Sequence, residues 1–365
     1  MRNIRWTGVV VALMMAMGLA TDSRATVEDS AAAPATRGVG CPVWMCGTNS
    51  PVVDGASIQE PAPATIWVGC PVWMCGSNSP VVDGATIAEQ APRPSAADRS
   101  FYELNMNGLP NNVGFRVVGV RKGTMRYALE GRGSALAAQP LDPGAPRLDG
   151  EGLVDLVFEL RDSAARGYAV RIAATNTTRF WAEPFGPVRT YALTWAPVNA
   201  PVARPLCTSG PNEAILFQGD RYDSLAKTLV ATGEAASGWI NIACAGTALA
   251  KLYLTRHTEA SQMIPTTRGE LQSMLKMFTA DVCGDGTSFT VAGQPLLWAD
   301  AKGITKFAGP AASIEAIWTE AGAVCLDTPR KPDLAPLIAA RCQRPGYGGA
   351  TTAKGRGHVI SANPR

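Results

Sequence analysis

The sequence predicts an α+β protein built in modules: a signal peptide, two short cysteine-loop repeats, an all-β sandwich- or barrel-like unit, and a disulfide-bearing α+β domain. Three observations carry this reading. Arg2 and Arg5 precede an apolar run over 6–20, a 25-residue segment recurs almost unchanged 29 residues later, and the hydrophobic period turns helical beyond about 240.

Composition sets the outer bounds. A chain of 365 residues exceeds what one core usually holds, so two folded units are expected. Apolar residues make up 46% and charged residues 17%, ample for cores and incompatible with disorder throughout. The formal charge is only +3, and no Lys/Arg-rich run or aromatic-interleaved basic stripe occurs, so nucleic acid is not an expected partner.

Residues 1–20 have the plan of a cleaved signal peptide. Small residues at Gly18 and Ala20, and again at Ser23 and Ala25, suit the peptidase, which places the mature start near Thr21 or Thr26. The apolar run is shorter than the roughly 20 residues a spanning helix needs, and no other segment qualifies, so no transmembrane segment is expected after cleavage. The first cysteine is Cys41, which leaves no lipoprotein attachment site behind the run. The protein is expected to be exported: periplasmic, cell-surface or secreted.

The duplicated module spans 34–97, with copies at 34–58 and 63–87 that differ at four positions. Each holds Cys-Pro-Val-Trp-Met-Cys. In an oxidising compartment the nine cysteines read as disulfides first, and the short loops pair Cys41 with Cys46 and Cys70 with Cys75. The rival arrangement is one zinc on these four thiolates, but export favours bridges, so neither metal nor cofactor is expected. Trp44 and Trp73 would be displayed as binding knobs or buried against the body.

Short runs of β-formers broken by Gly, Asn and Pro fill 98–203: 115–120, 125–129, 154–160, 168–173 and 190–195. A Pro-rich stretch over 196–205 then leads to the α+β domain, 205–330. Ile242, Ala245, Leu249, Leu252 and Tyr253 share one helical face and predict a helix over 241–257. Thr267 followed by Glu270 fits a capping box, with Leu271, Met274, Leu275 and Phe278 behind it and an end at Cys283-Gly284. Strands are expected at 288–291, 295–298 and 316–318 and a short helix at 336–341, while the tail 343–365 lacks apolar periodicity and is expected to be mobile.

Candidate chemistry is sparse. The chain has two histidines, His257 and His358, the second in the tail, and no Gly-x-Ser-x-Gly, His-Glu-x-x-His, Walker or dinucleotide motif. An enzyme would have to pair His257 with Cys283, the imidazole oriented by Asp281 or Glu259. The simpler reading makes Cys283 half of a disulfide and His257 a residue at a helix C-terminus. Two bridges are expected among the last five cysteines. An antiparallel helix pair would join Cys244 to Cys283, and Cys207 to Cys325 would close the domain, leaving Cys342 unpaired. Asp281 and Asp285 flank a turn but lack the ligand ladder of an EF-hand.

The segments Asn241-Ile-Ala-Cys-Ala-Gly-Thr-Ala-Leu-Ala-Lys-Leu, Met274-Leu-Lys-Met-Phe-Thr-Ala-Asp-Val-Cys283-Gly, Glu315-Ala-Ile-Trp318 and Gly322-Ala-Val-Cys325-Leu together resemble the ADYC-domain proteins. The motif that names that family stands here as Ala280-Asp281-Val282-Cys283, with Val where the family has Tyr. The resemblance covers about 205–330, and the twice-present Asn-Ser-Pro-Val-Val-Asp-Gly is similar to an element that precedes the body in these proteins. It implies export and a cysteine-bearing α+β domain, and it carries over no catalytic residue. The preferred reading is thus a non-enzymatic binding or structural protein whose partner is an envelope or extracellular component. A secreted enzyme using the Cys/His site is the alternative. The sequence defines neither the ligand nor the oligomeric state.

Overall fold

Alternating burial along an antiparallel meander organises the largest sheet of the described residues, seen in a computed structural model that describes residues 101–132, 135–182, 184–208, 212–223, 227–290, 294, 296–304, 311–345 and 359–364. The expected signal peptide, both repeats with Cys41, Cys46, Cys70 and Cys75, and His358 lie outside the described residues.

Among the described residues eleven strands form the main sheet: β1 (Glu103–Asn105), β2 (Arg116–Lys122), β3 (Met125–Arg132), β4 (Ala135–Pro140), β5 (Leu148–Asp149), β6 (Val157–Arg161), β7 (Gly167–Arg179), β8 (Pro187–Pro197), β9 (Arg204–Pro205), β10 (Ala214–Phe217) and β13 (Trp239–Cys244). Their order is β1-β13-β10-β8-β7-β6-β2-β3-β4-β5, with β9 beside β8. Between β10 and β13 the chain makes a separate hairpin, β11 (Asp220–Asp223) with β12 (Thr228–Thr232). Phe158, Leu160, Val170, Ile172, Leu193 and Trp195 alternate inward onto one core with Phe101 and Leu104, as period-two patterning requires.

The sheet does not stop at the boundary expected near 204. Strands β10 and β13, from beyond that boundary, sit between β8 and β1. Both are buried on two faces: Leu216 and Ile242 enter the β-core, while Ile215, Phe217 and Ala243 enter a second core shared with helices. That two-sided burial corrects the helix expected over 241–257. Trp239–Cys244 is a strand, Gly246 turns at φ +82°, and helix α1 (Ala248–Leu254) starts only after Thr247, whose hydroxyl accepts from the Ala250 N–H.

Helix α2 (Arg268–Thr279) begins at the expected capping box. The Thr267 side chain accepts from the Glu270 N–H at 3.3 Å, and Glu270 accepts from the Thr267 N–H at 2.6 Å. It ends at Thr279, four residues before Cys283, with Ala280 as its cap in the left-handed region. The expected strand at 288–291 does not form among the described residues, whereas those near 295–298 and 316–318 appear as β14 (Leu297–Asp300) and β15 (Ala311–Thr319). Strand β16 (Gly322–Leu326) and helix α3 (Ala335–Arg341) follow.

The tail supplies the largest topological correction. Val359–Pro364 is strand β17, set between β14 and β15 in a four-stranded sheet ordered β14-β17-β15-β16. Ser361 ties it in: its hydroxyl donates to Glu315 at 2.7 Å and accepts from the Trp318 indole at 2.8 Å. Glu315 also takes the Arg330 guanidinium through both oxygens, at 2.6 and 2.7 Å, and all four side chains are buried. Both Glu315 oxygens are engaged, while Arg330 Nη1 has no hydrogen bond among the described residues, and losing either partner would leave the other charge buried and uncompensated at a cost of about 3 to 5 kcal/mol.

Candidate functional site

At the end of α1 the backbone turns through Arg256 at φ +63°, and the His257 N–H still reaches the Leu252 carbonyl at 3.0 Å. Arg256 lies on the Phe180 ring at 3.7 Å and donates to the carbonyls of Ala182, Pro184 and Ser261, locking the β7–β8 turn to the loop after α1. This clamp fixes His257 inside the second core rather than at an exposed helix end. Its ring is fully buried, 5.6 Å from the Trp298 ring.

Asp300 is the carboxylate within ion-pair reach of that ring among the described residues, with 3.8 Å between Nε2 and Oδ2. The distance is too long for a hydrogen bond, and among the described residues neither ring nitrogen has one. Burial pushes the imidazole down to about 4, against the pull of Asp300 and Glu270, so it is neutral at pH 7. Farther out, Glu270 pairs with Lys302 at 2.8 Å.

The residues proposed to work with His257 are engaged elsewhere. Cys283 is bonded to Cys342, and Cys207 to Cys244, with Cα–Cα distances of 5.7 and 5.4 Å. Both expected pairings are therefore corrected. Cys244 ends a strand and not a helix, so no antiparallel helix pair brings it to Cys283. The free thiol among the described residues is Cys325 and not Cys342, and burial raises its pKa, which disfavours the reactive thiolate. The backbone of Glu259 donates to Asp220 at 2.7 Å, and its carboxylate accepts from Gln262.

Asp281 is buried at the C-terminus of α2, paired with Lys276 and accepting from the Gly286 N–H at 3.0 Å. It thus holds the 281–286 turn closed. Val282 fills the core where the family motif has Tyr, and its carbonyl accepts from the Ala323 N–H at 3.0 Å. Gly284, at φ +78°, lies so close to β16 that an added Cβ would stand 2.1 Å from the Ala321 carbonyl oxygen. Cys283 completes the turn by stapling it to the residue after α3. The motif is a joint between α2, β16 and α3.

Sequence reasoning missed two further buried groups. Lys227 donates to Ser288 at 2.6 Å and to the Gly286 carbonyl, a second cation on the same turn. Burial pushes the Asp220 carboxyl up to about 6. Neither carries a spacing signal, because their partners lie in other segments. No group of three metal-ligating side chains occurs among the described residues, and no helix there is long and apolar enough to cross a membrane.

Comparison with known proteins agrees with this geometry. No curated protein and no solved structure matches. The model of the ADYC domain matches residues 150–332, half of the chain. The match begins just ahead of β6, well before the expected 205, so it takes in strands of the main sheet as well as α1, α2, the Asp281 turn and β16, and ends ahead of α3. With the motif residues seated in that joint and half of its length matched, the chain belongs to the ADYC-domain family.

Proposed function

We propose that the protein is a non-enzymatic, exported binding or structural component of the cell envelope or extracellular space. The observation that carries this reading is that Cys283, the one thiol placed for catalysis, is consumed in a bridge to Cys342. Paired cysteines persist where the compartment is oxidising, and the charged and apolar start at 1–20 has the plan of an export signal. The repeats with Trp44 and Trp73 belong to the same reading, as displayed contacts for a partner.

Two measurements test it. N-terminal sequencing of the protein from its natural host should begin near Thr21 or Thr26, and recovery of Met1 would remove export. Alkylation of the denatured, unreduced protein followed by peptide mapping should label Cys325 and spare Cys207, Cys244, Cys283 and Cys342. A labelled Cys283 would restore the thiol enzyme.

A further inference from the structure

The main sheet has an outer face, turned away from the β-core, whose chemistry changes across its width. At β10 and β13 this face carries Ile215, Phe217 and Ala243, which are buried under the helices. At β2, β3, β6 and β7 this face carries five arginines, Arg116, Arg121, Arg126, Arg161 and Arg171, among smaller apolar residues and Glu. The register sets Arg116 directly opposite Arg161 and Arg121 directly opposite Arg126. Arg121 and Arg171 flank Val157 from either side. Phe158, Leu160 and Val170 point into the core, so the alternation turns all five arginines outward, and all are exposed.

Folding does not account for this arrangement, since like charges directly opposite on a sheet destabilise it. Three of the arginines have a carboxylate at hand: Arg121 with Glu159, Arg126 with Asp142 and Arg171 with Asp155. Arg116 and Arg161 have no ion pair among the described residues. Glu159 is the one acid that β2, β6 and β7 place on this face, and it leans over Gly119 toward Arg121, where a Cβ on Gly119 would lie 2.9 Å from its oxygen. Beyond Arg161 the β6–β7 turn adds Arg166, 72% exposed, whose partner Asp162 is already held by the Ala164 and Arg166 N–H groups.

We propose that this face binds an acidic polysaccharide, with Arg116 and Arg161 as a fork that takes one sugar carboxylate. Paired planar guanidiniums match a carboxylate bidentately. The outward positions of β2, β6 and β7 beside the fork are Arg, Val, Glu, Gly and Ala, so the face has no aromatic platform for nucleobases and no apolar anchor of the kind that dominates protein interfaces. The assignment of a glycan partner rests on the exported reading above, although the charge pattern does not.

The test is titration of the mature protein with polygalacturonate at low salt, with dextran as the neutral control and polyglutamate as the acidic polypeptide control. Binding to polygalacturonate is expected to weaken about tenfold in Arg116→Gln/Arg161→Gln, the loss of one charge-assisted contact pair. It should change little in Arg147→Gln/Arg204→Gln, which removes equal charge elsewhere. Absence of binding, equal loss in both double variants, or tighter binding of polyglutamate would each overturn the proposal. A host protein that retains Met1 while the purified chain still binds would remove export and leave the surface standing. Thermal melts of both variants confirm that each is folded.

Discussion

The two halves of the main sheet solve opposite problems with one backbone. In the β2–β6–β7 half, one face packs and the other meets solvent, so polar and apolar residues alternate. In the β10–β13 half, both faces pack: AILF and WINIAC are buried at every position, one set of side chains in each core. A strand buried on two sides has no period of two to read, and this half therefore acts as the wall between the cores.

Breaking the wall should be the costliest change. Phe217 is fully buried on the helix side, its ring 5.0 Å from that of Tyr253. Phe217→Ala is expected to lose about 3 to 5 kcal/mol in denaturant unfolding. Arg171→Ala, on the exposed half of the same face, should fall within about 0.5 kcal/mol of the parent. Equal losses at the two positions would mean that the outer face is covered along its whole width.

The difference also explains what could be read in advance. Helix α2 was legible because its capping box is local and its apolar spacing belongs to one face. Strand β13 was not, since Ile242, Ala245 and Leu249 fit a helical face equally well when every residue from 239 to 254 is buried. Strand β17 was hidden by composition: Val-Ile-Ser-Ala-Asn-Pro has little apolar pattern, and its place depends on Ser361 meeting Glu315 and Trp318, 46 and 43 residues away. At the site, Cys283 and Asp281 were visible as residues, but the partner Cys342, like Asp300 beside His257, is set by tertiary packing, and Lys276, five residues back on α2, carries no motif.

A smaller effect sharpens the contrast within the helix-side core, where two buried groups titrate in opposite senses. His257 has a folded pKa of about 4 against 6.5 unfolded, so the unfolded chain binds more protons between these values, and stability is lost as pH falls through this window. Asp220 has a folded pKa of about 6 against 3.8, so its contribution is present at low pH and lost as pH rises from about 4 to 6. Each shift corresponds to about 3 kcal/mol at most, and in the parent the two largely cancel. Relative to the parent, His257→Gln should lose stability as pH rises from 4 to 6, and Asp220→Asn should gain it. Parallel pH profiles for the two variants would show that these groups do not titrate as opposed buried sites.

The smallest expected effect has the opposite sign from the first. On the exposed half, Arg116 and Arg161 face each other with no carboxylate between them among the described residues, and their side chains bury nothing that the core needs. Replacing one by a neutral side chain of similar length removes the repulsion and leaves the ladder hydrogen bonds, which are backbone, untouched. Arg116→Gln should therefore raise stability by about 0.2 to 1 kcal/mol, and the gain should shrink as salt screens the pair. Arg126→Gln gives the internal contrast: it relieves Arg121 but deprives Asp142 of its 2.9 Å partner, so its net change should be close to zero. Unfolding curves at low and high ionic strength decide the matter. A loss of stability in Arg116→Gln would mean that the arginine pair serves folding itself, and the case for an anionic partner would lose its physical motive.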